Sequence, residues 1–166
     1  MREKELVVAF PIFNGRIEKF VLLGERQKDP WKGCLSGFGG NIEKYDKSPR
    51  QRQVIELQEE SKIIVQEESL IKRAEFISDI EGKEPKLLHV YVAYDFKGKW
   101  QNTEEMHPEW FPFKALPINK MIKGDEFWVP RVLAGEHLTG TIFRDEKFNF
   151  LRIEVQACDP CIFLAA

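Results

Sequence analysis

The sequence predicts an α/β fold, a mixed sheet with helices able to cover both of its faces. Three observations predict it. Strand-like runs dominate: LVVAFPIF, FVLL, AEFISDI and LLHVYVAYDF are rich in β-branched and aromatic residues, and turn signals bound them. One stretch, Ser48 to about Lys62, is a capped helix. A second helical region lies far downstream, from about Asp125 to Ala134, so helices and strands are interleaved along the chain. With 166 residues, 43% of them apolar, the chain suits one domain spanning 1–166 with a real core.

Taken in order, Leu6 to Phe13 reads as a strand. Asn14-Gly15 is a hairpin signal leading to a partner strand at Phe20 to Leu23. Gln27 to Cys34 is a surface loop. Gly37 to Ile42 is a short strand entering a glycine-rich turn, where a backbone without Cβ can bend sharply or approach a ligand. Ser48 is a good N-cap and Pro49 fits the first helical position, where no donor is needed. Ile63 to Val65 and Ala74 to Ile80 read as strands, and Glu81 to Pro85 as a turn. Leu87 to Phe96 is the clearest strand of the chain. Lys97 to Pro108 reads as a polar loop and Glu109 to Phe113 as a short extended piece. Leu116-Pro117 begins the second helical region, with Pro130 interrupting or kinking it. Thr139 to Phe143 and Phe148 to Val155 form a last hairpin across Arg144 to Lys147.

Composition narrows the function. A net charge of −2 gives no basic footprint for a nucleic acid polymer. No apolar run reaches the length of a transmembrane helix, and the N-terminal apolar run is too short for a secretory signal. Cys34, Cys158 and Cys161 leave an odd thiol, which suits a reducing cytoplasm. Cys158-Asp159-Pro160-Cys161 has the spacing of half a zinc site, but no second pair completes it.

The helix starting at Ser48 carries the chemistry. At roughly 100° per residue, Glu56, Glu59 and Glu60 fall within one arc, opposite Val54 and Leu57. Like charges at this spacing repel by roughly 0.2–0.5 kcal/mol per pair, and acids in a last turn also face the negative end of the helix dipole. A divalent cation would remove both penalties. Magnesium suits an all-oxygen site shared with substrate phosphates; manganese is the alternative ion. Arg52 lies one turn before Glu56 and inside the same arc, within reach to orient a carboxylate. As an exposed pair, Arg52 with Glu56 would contribute under about 1 kcal/mol to stability.

The stretch from Gly37 to Ile63 resembles the Nudix box, G-x5-E-x7-R-E-U-x-E-E-x-G-U with U aliphatic. Gly40 matches the first Gly, Asp46 stands for the next Glu, and Glu56-Leu57-Gln58-Glu59-Glu60-Ser61-Lys62-Ile63 matches the second half. Lys62 replaces the second Gly, Ile55 replaces the box Arg, and one residue is added between Asp46 and Glu56. Phe20 to Gly24, Ser36 to Gly40, Glu105 to Phe111 and Asp125 to Pro130 resemble the subgroup that hydrolyses oxidised purine nucleoside triphosphates. The resemblance implies the Nudix α/β/α sandwich. It also implies a metal shell from Glu56, Glu59, Glu60 and Glu105, joined by a backbone carbonyl at Gly39 or Gly40. Any of the glutamates could serve as general base, and Arg52 stands in for the missing Arg.

By the same resemblance, the substrate is a nucleoside triphosphate such as 8-oxo-dGTP, cut to the monophosphate and pyrophosphate. Candidate substrate-binding residues are Arg26, Ser36, Phe38, Asp125 and Trp128. Ser36 replaces the subgroup's Asn, and Ile122 and Gly124 replace its Trp and one of its two Asp residues. Fewer groups then reward an oxidised base, so selectivity for it is expected to be weaker. Two other readings stay open: a different nucleoside-diphosphate-linked substrate, and a Nudix-fold nucleotide-binding or regulatory module with little catalysis.

Overall fold

The structure, a computed structural model, describes residues 4–163. The first three and last three residues of the expected domain lie outside that range. Nine strands among the described residues form a mixed sheet. They are β1 (Glu5–Asn14), β2 (Lys19–Arg26), β3 (Leu35–Ser36), β4 (Phe38–Asn41), β5 (Leu70–Ile80), β6 (Lys86–Ala93), β7 (Met106–Pro112), β8 (Leu138–Arg144) and β9 (Phe150–Ala157). Helix α1 runs Pro49–Ser61 and α2 runs Val129–Leu133. The main order is β3-β2-β1-β6-β5-β8-β9, with β4 on β1 and β7 on β2. Pairs β1/β6 and β5/β8 are parallel and the rest antiparallel.

Strand β1 changes partners along its length. Leu6 to Ala9 pair with β4, whereas Ile12 to Asn14 pair with β2. Alternation along the strands sorts the core into two layers. Val7, Ala9, Leu22, Tyr91 and Ala93 face α1 and pack with Leu57 and Phe38. Phe10, Ile12, Val21, Leu23, Val90 and Val92 face the other way and pack with Trp128, Val129 and Val132. A bulge in β5 between Lys72 and Ala74 puts Leu70 in the first layer and Ala74 and Phe76 in the second. The expected α/β/α arrangement is present.

Three local expectations are corrected. Ile63 to Val65 is not a strand; only Ile64 bridges to Lys97. The chain leaves α1 through Lys62 in a left-handed turn at φ 70°, which leaves no run long enough to pair. Strand β7 begins at Met106, inside the expected polar loop, because it adds antiparallel to β2 over seven positions. Its prolines are tolerated at a sheet edge. Pro130 neither interrupts nor kinks the second helix. It sits in the first turn of α2, after a separate 3-10 turn at Asp125–Phe127, where its missing N–H costs nothing. Among the described residues no helix is long and apolar enough to cross a membrane.

Candidate active site

Helix α1 begins as its sequence dictates. Ser48 Oγ accepts from the Gln51 N–H at 3.1 Å. Leu57 is fully buried, and Gln53 donates from Nε2 to the Phe38 carbonyl at 2.8 Å, which fastens the helix to β4. The face carrying Glu56 and Glu60 therefore lies against the glycine strand. Glu60 Oε1 accepts the Gly39 N–H at 2.9 Å. A Cβ on Gly40 would stand 2.7 Å from Glu56 Oε1, and one on Gly39 would stand 1.8 Å from the Val7 carbonyl oxygen. Both positions need glycine because backbone and carboxylate occupy the space of a side chain.

The acids act on one another. Glu60 is pushed up to about 8, first by burial and then by Glu56. Glu56 is raised by burial, with Arg52 opposing and Glu59 and Glu105 adding to the rise. Glu59 is exposed. Glu105 is also exposed, and its carboxylate pairs with Lys28 Nζ at 2.7 Å. Among the described residues no three His, Cys, Asp or Glu side chains are gathered tightly enough to hold a metal ion between them. The donor set fits an ion that takes few protein carboxylates and fills its shell with water and phosphate oxygens. The burial and mutual repulsion that raise Glu56 and Glu60 are what such a cation offsets.

Arg52 points into this cluster. Nη1 reaches Glu56 Oε1 at 3.4 Å, but its stronger hold is on Asp46, with Nε to Oδ2 at 2.8 Å and Nη2 to Oδ1 at 3.0 Å. Asp46 also accepts the Glu43 N–H at 2.7 Å, and Tyr45 lies under the guanidinium. The Arg52 and Asp46 side chains are 7% and 1% exposed. The Glu56 side chain is 14% exposed, so the expectation that its pair with Arg52 is exposed is corrected as well. The loop before the helix folds Asp46 back onto it, so the ion pair is sealed from water.

On the opposite face of the sheet lies a cavity of about 170 Å³. Arg26, Ser36, Asp125 and Trp128 line it, together with Gly39, Gly40, Trp31 and Arg144. Phe38 does not; it is fully buried in the layer beneath α1, because strand alternation points it away from its glycine neighbours. Trp128 is also a packing residue, edge-on to Phe10 at 6.0 Å and tilted against Phe76 at 5.1 Å. Asp125 is pushed up to about 7 by burial, with Arg144 opposing. Arg26 Nη1 donates to Ser36 Oγ at 3.3 Å. Arg144 escapes a reading of the sequence alone. It falls in the expected closing turn, yet it ends β8 and is 6% exposed. No local pattern marks it, since the residues that cover it come from the loop before β3 and the segment before α2.

Comparison with known proteins agrees with this arrangement. The NUDIX domain family model matches residues 3–132. The zebrafish (Danio rerio) oxidized purine nucleoside triphosphate hydrolase is 30% identical over 127 residues, 72% of this chain and 76% of the relative. The mouse (Mus musculus) protein of the same name is 29% identical over 141 residues, 84% and 88% of the two chains. The fold is similar to that of a mutator MutT protein from Bacillus halodurans, with TM-score 0.75, 21% identity and coverage of 92% and 97%. It is also similar to the Nudix domain of Shewanella oneidensis NrtR complexed with ADP ribose, with TM-score 0.66, 16% identity and coverage of 81% and 88%. A glycine strand pressed against a carboxylate helix, a family match over most of the chain and relatives named as hydrolases together place this chain in the Nudix family, as a MutT-like pyrophosphohydrolase.

Proposed function

We propose that the protein is a magnesium-dependent hydrolase that cuts a nucleoside triphosphate, with an oxidised purine such as 8-oxo-dGTP as its substrate type, to the monophosphate and pyrophosphate. One observation carries the reading: Gly39 and Gly40 line the cavity and also touch the carboxylates of α1. A base held in the cavity thus leads its phosphates directly to the acidic cluster. The names of the curated relatives support the same substrate type.

Glu56, Glu59, Glu60 and Glu105, with a carbonyl of Gly39 or Gly40, are the groups that would hold the metal. Magnesium, or manganese in its place, supplies charge neutralisation of the phosphates and a more acidic water when bound. The chain's own residues set the geometry. Gly39 N–H fixes Glu60 at Oε1, and Arg52, anchored by Asp46, holds Glu56. A carboxylate of the cluster accepts the proton of the attacking water as its oxygen adds to phosphorus and the anhydride bond breaks. We place the single domain in the cytoplasm, consistent with three free thiols.

A panel of nucleotides assayed with magnesium tests this, scoring pyrophosphate and phosphate. Pyrophosphate released from oxidised purine triphosphates is the expected result. Cleavage of ADP-ribose-type substrates alone would favour a different nucleoside-diphosphate-linked substrate. Binding without turnover would favour a regulatory module.

A further inference from the structure

Two guanidiniums line the cavity, and both hold donors that the protein leaves unused. Arg26 gives one side-chain hydrogen bond, to Ser36 Oγ, and Arg144 gives one, from Nη2 to the Lys123 carbonyl at 3.2 Å. The Nε of each is buried without a partner among the described residues. A guanidinium carries several N–H donors and accepts nothing, and a buried donor left unmade is costly. Asp125 does not relieve them. It is 7% exposed and feels Arg144 through space rather than through a hydrogen bond. The cavity is therefore rich in donors, with a single carboxyl as its charged acceptor.

Trp31 lies against both cations. Arg26 Cζ lies 5.9 Å and Arg144 Cζ 5.3 Å from its ring centroid, and Phe148 meets it edge-on at 5.5 Å. The indole thus fixes both guanidiniums through cation–π contact beside the cavity. Apolar contact does not distinguish one base from another, so discrimination falls to the polar groups of the cavity. Arginine donors suit carbonyl oxygens, as in recognition of a guanine edge, and Asp125 suits a ring N–H. Adenine has no carbonyl, guanine has one, and 8-oxoguanine and xanthine have two.

We propose that Arg144, with Arg26, is a specificity-determining group, and that the site takes a purine bearing two exocyclic carbonyls in preference to guanine and, more strongly, to adenine. The proposal rests on the nucleotide reading above and names the residues that would read its base. Arg144 would supply donors that Ser36 cannot, and from a different strand than the Asn that Ser36 replaces. Selectivity for an oxidised purine would then be stronger than the loss of that Asn predicts.

The test is equilibrium binding of 8-oxo-dGMP, xanthosine monophosphate, dGMP and dAMP to the full chain without metal, followed by tryptophan fluorescence or calorimetry. The two-carbonyl nucleotides should bind about 10-fold tighter than dGMP and on the order of 100-fold tighter than dAMP. Arg144→Met should weaken the two-carbonyl nucleotides by about 10- to 100-fold while changing dAMP little. Arg144→Lys should recover part of the loss, and it carries the test if the Met variant melts as an unfolded protein. Binding of dAMP within a few-fold of 8-oxo-dGMP, an unchanged preference in the variant that folds, or no binding of any of the four would overturn the proposal. Selective binding without hydrolysis would remove the catalytic reading alone. Hydrolysis without base selectivity would remove this one alone.

Discussion

The carboxylate cluster and the cavity lie on opposite faces of one sheet and are built in different ways. Glu56, Glu59 and Glu60 come from two turns of one helix, so their spacing alone sets them on one arc, though not as a closed set of three ligands. The cavity draws Arg26 from β2, Trp31 from a loop, Asp125 from the segment before α2 and Arg144 from β8. Only the folded sheet makes them neighbours. The two regions meet at Gly39 and Gly40, where the absence of side chains leaves backbone alone between them. Under the function proposed above, the reaction chemistry is a local property of α1, whereas the choice of substrate is a property of the whole sheet.

If that division holds, changes on α1 should stop turnover for every base alike. The largest effect is expected for Glu60→Gln. The amide keeps an oxygen for the Gly39 N–H but loses the charge, so turnover should fall by at least about 100-fold with helical circular dichroism unchanged. A variant with wild-type turnover would break the comparison, since the cluster would then not be the reacting end.

Arg52→Ala should reduce both turnover and stability. It strips a buried carboxylate of its ion-pair partner, which costs about 3 kcal/mol, and it frees Glu56. Chemical denaturation of Arg52→Ala beside the double variant Asp46→Asn/Arg52→Ala sharpens the point. The double variant should regain part of the stability but not the turnover. Equal stability in the wild type and Arg52→Ala would mean that the Asp46 contact is not formed in solution.

A smaller effect joins the two regions through pH. Glu60, at about 8, and Asp125, at about 7, sit above the ordinary carboxylate range. The folded chain therefore holds protons that the unfolded chain has released, and stability falls as pH rises from about 4 towards 8. His89 acts in the other direction. It is buried, its Nδ1 lies 2.8 Å from Lys72 Nζ, and its pKa is lowered, by burial first and Lys72 second. Below the ordinary histidine value, about 6.5, the unfolded chain takes up a proton that the folded chain refuses, which offsets about one of the two acids there. The Tm of metal-free protein should thus fall from about pH 5 to 8, most steeply near pH 7, where His89 no longer offsets the acids. Magnesium should raise Tm most on the alkaline side, and Glu60→Gln should flatten that side. A Tm that climbs steadily from pH 6.5 to 8 would contradict these assignments.

The smallest effect concerns the end of α1. Lys62 holds φ 70° where the box pattern has Gly. A residue with a Cβ is strained there, although Gly loses more chain entropy on folding. Lys62→Gly should stabilise by about 0.5–1 kcal/mol and leave base selectivity untouched. A lower Tm would show that the Lys62 side chain contributes more than its backbone costs.

The sequence by itself determined the strands with clean alternation, the Ser48 cap, the helix after it and the arc of glutamates, because these depend on neighbours within one or two turns. It also carried the family resemblance, since the box is contiguous. The tertiary structure decided what distant segments meet. It showed Arg52 sealed against Asp46 rather than exposed, and Phe38 turned away from the cavity by strand parity. It let Pro130 open a short helix instead of breaking a long one, and it buried Arg144 at the end of a strand. Each of these outcomes depends on burial and on pairing across the sheet, which local periodicity does not encode.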